Sequence, residues 1–290
     1  MRNALCFYMN SIKFNGIEMR YISSRSNDEV VSASKLSMKK YREEAGLFLC
    51  EGEKLFEESV LWGEPSAVFV SEDSLSRLSE KTEGYLSDPR LSGRVFALSR
   101  PAFEKISTEK SPQGVIAAVR IPERRDIHGA VRGLKEDERA LVLDGVRDPG
   151  NVGGILRTAA AFGFESAILI DCADPFGDRA VRASMGAIFR IRVAETGDAG
   201  EAAELLASSG RRLVAAALTD DSETLGSFGF SDGDVVVIGN EGHGISDKML
   251  SVCSVSLKIP MAAGCESLNA GSAAAVILWE YGKNGSDLKK

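Results

Sequence analysis

A chain of 290 residues with 44% hydrophobic residues is long enough for two ordinary domains, each with its own core. No window reaches the continuous apolar length of a bilayer-spanning helix, and the opening MRNALCFYMNSIKFNGIEMR scatters Asn, Ser, Lys and Glu among its apolar residues, unlike a signal-peptide core; a soluble, cytoplasmic protein is expected. The formal charge of -7 argues against a protein that grips nucleic acid over its whole surface.

The stretch after Met19, Arg-Tyr-Ile-Ser-Ser, reads as a natural start for the first domain, so residues 1–19 are expected to form a disordered or over-called extension. From about Ser23 the first half alternates helical and strand-like segments. Residues 34–44 are polar and predict a helix, 47–50 a short strand, and 53–62 an amphipathic helix with Leu55, Phe56, Val60 and Leu61 on one face. AVFV at 67–70, VFAL at 95–98 and GVIAAV at 114–119 read as further strands, with a polar helical stretch at 74–86. Together they predict a compact α/β domain over 20–119, whose last turn is Ser-Pro-Gln-Gly at 111–114.

Residues 120–139, RIPERRDIHGAVRGLKEDER, are dense in both charges and poor in consecutive apolar residues, and read as a linker. A second domain, 140–285, is expected to carry strands at 140–143, 167–170, 188–193, 212–217, 234–238 and 255–259. Helices are expected at 152–162, 198–209, 246–251 and 269–281. The near-continuous apolarity of LVAAAL and DVVVIG predicts strands covered on both faces, as in a parallel sheet. The fold class is therefore α/β in both halves.

Five cysteines, Cys6, Cys50, Cys172, Cys253 and Cys265, form no C-x-x-C pair, and His128 and His243 complete no zinc-ligand spacing with them, so no metal is expected. Cys50, Cys172 and Cys253 lie in or beside apolar runs and read as small buried hydrophobes in a reducing compartment. Charge is unevenly spread. Residues 20–42 hold Arg20, Arg25, Lys35, Lys39, Lys40 and Arg42 against Asp28 and Glu29, and residues 178–192 hold Arg179, Arg182, Arg190 and Arg192 against Asp178. Two basic patches on an acidic body suit a confined contact with a polyanion; taken singly, each is an ordinary solvated helix face.

Three loops of the second domain are rich in Gly, Asn, Ser and charge, and each follows an apolar strand: DGVRDPGNVGG at 144–154, GNEGHGIS at 239–246 and PMAAGCESLNAG at 260–271. In an open parallel sheet ligands bind beyond the carboxyl ends of the strands, so the three loops point to one crevice. Strand, Gly-rich loop, helix and then Asp171 at the end of the next strand is also roughly a dinucleotide-binding unit. Gly150, Gly153 and Gly154, however, give G-x-x-G-G instead of G-x-G-x-x-G, and that reading leaves Asn151 and Arg157 unexplained.

Taken together, LDGVRDPGNVGGILRTAAAFG, VVVIGNEGHGIS and IPMAAGCESLNAGSAAAVILWE, in this order and with their polar residues in place, resemble the motifs of the SpoU (TrmH-like) branch of the SPOUT RNA methyltransferases. SRSND at 24–28, FLCEGEKLFEE at 48–58 and SPQGVIAAV at 111–119 look, more weakly, like the substrate-binding domain of rRNA-modifying members, with Asn27-Asp28 where that family has Asn-Pro. The resemblance implies methyl transfer from S-adenosylmethionine to a ribose 2'-hydroxyl of RNA. It also implies a homodimer and a deep trefoil knot in the C-terminal segment; threaded chains are rare, and nothing in periodicity points to one.

By the same match, the cofactor is expected against Gly239, Ile259 and Leu268, with Leu218 and Thr219 nearby. A glycine at 239 lets main chain approach a bulky adenosyl group, and backbone N–H and C=O groups read an adenine edge without charged side chains. Ile259 and Leu268 taken alone are ordinary core residues. The match assigns the transfer to Arg157 with Asn151 beside it, and brings in Glu241, Ser267 and Asn269. Arginine is a poor general base because its conjugate acid is so weak, so Arg157 reads as a phosphate ligand or a stabiliser of the developing alkoxide. Plainer readings stand beside these: Arg157 as an exposed helix residue, Glu241 as a charge near a helix N-terminus, Ser267 or Asn269 as the N-cap of the last helix. Arg25, Asn27, Lys39, Lys40 and Arg42, with Ser184 and Arg190 in RASMGAIFRIRV, are the candidates for RNA contact. Ala270, Gly271, Ala273, Ala274 and Ala275 open the last helix to close packing, inside the fold or across a dimer.

The sequence thus reads as an S-adenosylmethionine-dependent RNA 2'-O-ribose methyltransferase, acting on rRNA in preference to tRNA because a globular domain precedes the catalytic one. The alternatives are a tRNA methyltransferase, a noncatalytic RNA-binding or ribosome-assembly protein of the same fold and, more remotely, an NAD-dependent oxidoreductase. Asn151, Arg157, Glu241, Ser267 and Asn269 together speak against lost activity.

Overall fold

The computed structural model describes residues 6–8, 11–122, 126–264 and 267–283. They group into two compact units, one running to Pro122 and including Phe176–Phe189, the other running from residue 126 to Pro175 and onward from Arg190.

The first unit begins with β1 (Cys6–Tyr8), β2 (Ser11–Phe14), β3 (Ile17–Ile22), α1 (Asp28–Lys35), α2 (Lys39–Ala45), β4 (Leu47–Glu51) and α3 (Glu53–Trp62). It continues with β5 (Pro65–Ser71), α4 (Glu80–Leu86), β6 (Val95–Leu98), α5 (Arg100–Ile106) and β7 (Val115–Arg120). The sheet order is β1-β2-β3-β6-β5-β7-β4, parallel from β3 through β6 to β5 and antiparallel elsewhere.

Part of the expected disordered extension is ordered. β2 and β3 pair across the turn at Asn15-Gly16, both at positive φ, a two-residue hairpin of the Asn-Gly kind. Ile12, Phe14 and Met19 are fully buried, so one alternating face of this hairpin joins the core. Residues 1–5 and 9–10 of that stretch lie outside the described residues. The single helix expected over 34–44 is instead α1 and α2 with a turn between them, and Leu61 is 52% exposed while Leu55, Phe56 and Val60 are buried.

In the second unit, α6 (Ile127–Arg132) occupies the stretch read as a linker. Asp126 caps it by accepting from the Gly129 N–H at 2.6 Å, and Ile127 and Val131 reach the core, a stripe too short to stand out against the surrounding charge. There follow β8 (Ala140–Asp144), α7 (Pro149–Ala161) and β9 (Ser166–Ile170). The chain then contributes α8 (Asp178–Ser184) to the first unit and returns with β10 (Arg192–Thr196), α9 (Ala199–Ser208), β11 (Leu213–Ala216) and β12 (Glu223–Thr224). β13 (Val235–Ile238), α10 (Asp247–Leu250), β14 (Val255–Lys258) and α11 (Ala270–Gly282) complete it.

All pairings between the described strands of this second sheet are parallel, in the order β10-β9-β8-β13-β11-β14-β12. β8, β9 and β13 are buried along their whole length, as their unbroken apolar runs require of strands covered on both faces. No helix among the described residues is long and apolar enough to cross a membrane.

Residues 176–189 fall inside the second domain expected from sequence, yet pack in the first unit. Phe176 and Phe189 flank Phe48 with ring centroids 5.2 and 5.8 Å away, and Arg182 pairs with Glu109. Gly186, at φ +91, lies so close to Glu58 that a Cβ would come within 2.6 Å of its Cγ. Met185 and Gly186 both have positive φ and end α8, so the strand expected from 188 begins only at Arg192.

Candidate active site

The strand order explains why the three motif loops meet. β8, β13, β11 and β14 are neighbours, and the chain changes direction at β8: β9 and β10 are added on one side, β13, β11 and β14 lie on the other. The carboxyl ends of strands at such a switch point form the natural crevice of a parallel sheet. Loops 145–148, 217–222, 239–246 and the segment starting at 259 all leave from that end.

A cleft of about 350 Å³ opens there. Ile238, Ile245, Leu257 and Ile277 give it apolar walls, and Gly239, Ile259, Leu268, Leu218 and Thr219, the five expected cofactor residues, all line it. Leu218 is 78% exposed, which puts it at the open rim. Ser267 and Glu241 share the lining, as do Asn240, His243 and Lys258, which the sequence reading passed over. Asn240 was in view as the residue between Gly239 and Glu241, but nothing local distinguishes it. Cys265, within the same motif loop, lies outside the described residues.

The structure gives Gly239 a different reason from the expected one. A Cβ there would lie 2.3 Å from the Gly244 carbonyl carbon and 2.4 Å from the Ile245 nitrogen. What approaches this glycine is its own loop folding back, closed by paired Asn240–Gly244 backbone hydrogen bonds of 2.9 Å.

Three of the five expected catalytic side chains are directly bonded. Asp148 caps α7, accepting from the Asn151 N–H at 2.9 Å, and Pro149 occupies the first turn, so α7 starts earlier than the expected 152 and Asn151 sits on it. Asn269 caps α11, its Oδ1 accepting from the Gly271 and Ser272 N–H groups at 2.9 and 3.3 Å. That leaves Asn269 Nδ2 to donate, and it donates to Asn151 Oδ1 at 3.3 Å. Asn151 Nδ2 in turn donates to Glu241 Oε1. Backbone N–H groups at one end and a carboxylate at the other therefore fix both amide orientations. Asn269 is at once a helix cap and a link in this hydrogen-bond chain.

Arg157 stands apart from this network. It is exposed further along α7, about 9 Å from Asn151 along the axis at 1.5 Å per residue, its side chain making no hydrogen bond or ion pair to another described residue. Ser267 is exposed on the cleft. Asp171, the acid of the dinucleotide alternative, pairs with Arg147 of the first motif loop.

The expected RNA contacts divide into two groups. Arg25 and Arg190 are exposed. Lys39 and Lys40 are exposed and lie 3.9 and 3.8 Å from Glu43 and Glu44, contacts of little energetic weight at the surface. Asn27 caps α1 by accepting from the Glu29 N–H at 3.0 Å. Arg42 and Ser184, by contrast, are buried. Arg42 donates to the Leu36 and Ser37 carbonyls at 2.8 and 2.9 Å, and Ser184 donates to the Val181 carbonyl at 2.7 Å. Both sets of hydrogen bonds serve the fold.

Burial pushes the Cys172 thiol up to about 12 and the Cys253 thiol up to about 11, and raises that of Cys50, so all three are poor nucleophiles at neutral pH. Among the described residues no group of three His, Cys, Asp or Glu side chains is placed to hold a metal.

Residues 138–279 match the SpoU rRNA Methylase family, and residues 27–117 match an MRM3-like substrate binding domain. The chain is 30% identical over 263 residues to the 23S rRNA (guanosine(2553)-2'-O)-methyltransferase RlmP of Bacillus subtilis (strain 168), spanning 90% of this chain and 98% of RlmP. It is also similar to the AdoMet-bound rRNA methyltransferase from Sinorhizobium meliloti, with 27% identity, a TM-score of 0.74, and coverage of 91% of this chain and 97% of that one. The SpoU methyltransferase AviRb from Streptomyces viridochromogenes, in complex with the cofactor AdoMet, gives 26% identity, a TM-score of 0.75, and coverage of 89% and 98%. With motif loops converging on one cleft and a relative matched along nearly its whole length, this chain belongs to the SpoU rRNA methylase family.

Proposed function

We propose that this protein transfers a methyl group from S-adenosylmethionine to a ribose 2'-hydroxyl of RNA, with rRNA as the substrate class. The observation that carries the reading is the Glu241–Asn151–Asn269 chain of hydrogen bonds beside a cleft lined by all five expected cofactor residues. The cleft suits the cofactor: apolar walls accept an adenosyl group, main chain at Gly239 and Ile259 offers polar edges, and Glu241 brings negative charge to a cationic ligand.

S-adenosylmethionine would supply a methyl group already activated as a sulfonium, so the ribose oxygen can take it as the S–CH3 bond breaks, releasing S-adenosylhomocysteine and passing the hydroxyl proton to solvent; the protein's task is to align the hydroxyl and favour that loss. Asn151 is tied at both ends of its amide and presents a fixed edge to the target ribose. Glu241 and Asn269 hold it in that orientation, and Ser267 lines the adjoining cleft. The Arg157 guanidinium, unpaired among the described residues, supplies positive charge to an RNA phosphate or to the developing alkoxide. That role is electrostatic, since a guanidinium is a poor general base.

Arg25, Lys39 and Lys40 in the first unit, and Arg190 in the second, are assigned to RNA. A second copy of the chain completes the functional particle. Val276 and Trp279 on α11 are 40% and 52% exposed, and Phe162 packs edge-on against Trp279 with centroids 5.5 Å apart, an apolar strip suited to a partner. The same reading carries a knotted C-terminal segment and a cytoplasmic site of action.

Arg157→Ala is expected to abolish transfer of tritiated methyl to rRNA from cells lacking the gene, while S-adenosylhomocysteine affinity in calorimetry stays unchanged. Retained turnover would remove Arg157 from its role, and binding of NAD in place of S-adenosylhomocysteine would overturn the activity itself. Mapping ribose methylation with and without the gene identifies the nucleotide.

A further inference from the structure

We infer that Asp144 and Asn240 are positioning residues for methyl transfer, a two-point strap holding the loop that carries Glu241 against the loop that leads to Asn151. The inference rests on the proposed roles of Asn151 and Glu241.

Asp144 is the one charged residue of β8, and it is only 5% exposed. A carboxylate buried at the end of an apolar strand is costly unless it is hydrogen-bonded. Its Oδ2 accepts from the Ser246 N–H at 2.7 Å. Ser246 closes the 239–246 loop and caps α10 through its hydroxyl, which accepts from the Met249 N–H. The far end of the loop is thereby pinned to the end of β8.

The near end is pinned one residue further along the same strand exit. Asn240 Nδ2 donates to the Gly145 carbonyl at 2.7 Å, and the positive φ of Gly145, +72, turns the chain there. The other side-chain atom of Asn240 is also engaged, its Oδ1 accepting from the Gly242 and His243 N–H groups at 2.8 and 3.2 Å. Its backbone N–H and C=O bond to Gly244. Asn240 therefore has no slack, and Glu241, the next residue, inherits its position. On the other side, Gly145 leads within a few residues to Asp148, which caps α7 and fixes Asn151. The Glu241–Asn151 hydrogen bond is thus bracketed by Asp144–Ser246 and Asn240–Gly145, contacts that join segments roughly a hundred residues apart in the chain.

The charge and donor pattern makes the strap testable apart from folding. Asn240→Asp keeps an oxygen for the Gly242 and His243 N–H groups but sets a carboxylate oxygen against the Gly145 carbonyl. Asp144→Asn keeps an oxygen for the Ser246 N–H, whereas Asp144→Ala does not. In the full chain, single-turnover methyl transfer to rRNA at saturating S-adenosylmethionine is expected to fall about 10-fold or more in Asn240→Asp and Asp144→Ala, because small misplacements near reacting groups are costly. Asp144→Asn is expected to recover to within about 3-fold of wild type, and Asn240→Asp to cost less than about 2-fold in a Glu241→Ala background, since residues acting through one another are non-additive. A wild-type rate in Asn240→Asp, no recovery in Asp144→Asn, or full additivity with Glu241→Ala would each overturn the strap. If Asp144→Ala does not fold, as thermal unfolding would reveal, Asn240→Asp and its double variant decide. Asn151→Ala is measured alongside: an undiminished rate there rejects the catalytic reading, whereas a slow Asn151→Ala with a wild-type Asn240→Asp rejects the strap alone.

Discussion

A single methyl group added at Gly239 tests how the cleft proposed to hold the cofactor is built. In Gly239→Ala the new Cβ would meet the Gly244 carbonyl carbon at 2.3 Å, the Ile245 nitrogen at 2.4 Å and the Gly244 oxygen at 2.5 Å. Favourable contacts between such atoms lie near 3.5–4.0 Å, so the loop must retreat by about 1 Å. All three obstacles are main chain, so no side-chain rotation relieves them, and Ile245 behind them is buried. Overpacking of this kind costs about 1–3 kcal/mol. Because the displaced segment lines the cleft, the same cost taken out of binding lowers cofactor affinity by about 5–150-fold. Isothermal titration with S-adenosylhomocysteine measures the affinity, and urea unfolding measures how much of the cost falls on the fold. Gly154→Ala is the control: nothing lies within 4 Å of its Cβ position on α7, and alanine there should stabilise the helix by about 0.5–1 kcal/mol. Wild-type affinity and stability in Gly239→Ala, or equal damage from Gly154→Ala, would refute the steric argument.

The basic segment 20–42 should separate into structural and surface parts. Arg42→Ala leaves the Leu36 carbonyl in the interior and the partly buried Ser37 carbonyl without their donor and is expected to lower stability by about 1–3 kcal/mol in urea unfolding. Lys39→Glu with Lys40→Glu should change stability by no more than about 0.5 kcal/mol while weakening rRNA retention in filter binding; weaker retention with unchanged stability in Arg42→Ala would reverse the assignment. Stability should also fall in alkali. Burial raises Cys172 from 9.0 to about 12, and burial followed by the nearby Asp234 charge raises Tyr281 from 10.0 to about 12. Both groups bind their protons more tightly folded than unfolded, so their contribution is complete below the unfolded values and is lost as pH rises towards 12. Urea midpoints should therefore be lower at about pH 10.5 than at about pH 8, and a midpoint that rises over this interval contradicts the burial argument.

Several local features were legible in the residues themselves. Apolar runs such as DVVVIG announce strands covered on both faces, and Ser-Pro-Gln-Gly and the Gly-, Asn- and Ser-rich loops mark the turns between elements, because hydrophobic period and turn chemistry are properties of neighbouring residues. The three motif loops and their order were equally visible, and with them the candidate residues of the cleft. Short signals were lost in noisy surroundings: the Ile127 and Val131 stripe of α6 sits amid charge, and the β2–β3 hairpin sits in a segment of mixed polarity.

Only the tertiary structure decided which residues meet. Asn151 and Glu241 are 90 positions apart, and Asn151 and Asn269 118, yet the placing of β13 beside β8 and of α11 against α7 brings the three amide and carboxylate groups into one line. The same holds for burial. Arg42 has the chemistry of an RNA contact and the position of a turn clamp, Ser184 is enclosed, and residues 176–189 leave their expected domain because Phe48 accepts Phe176 and Phe189. Local sequence determined the elements, the loops and the chemistry available to them. Partners and solvent exposure came from contacts between distant segments, and so did the reason for Gly239, whose space is taken by the returning main chain of its own loop.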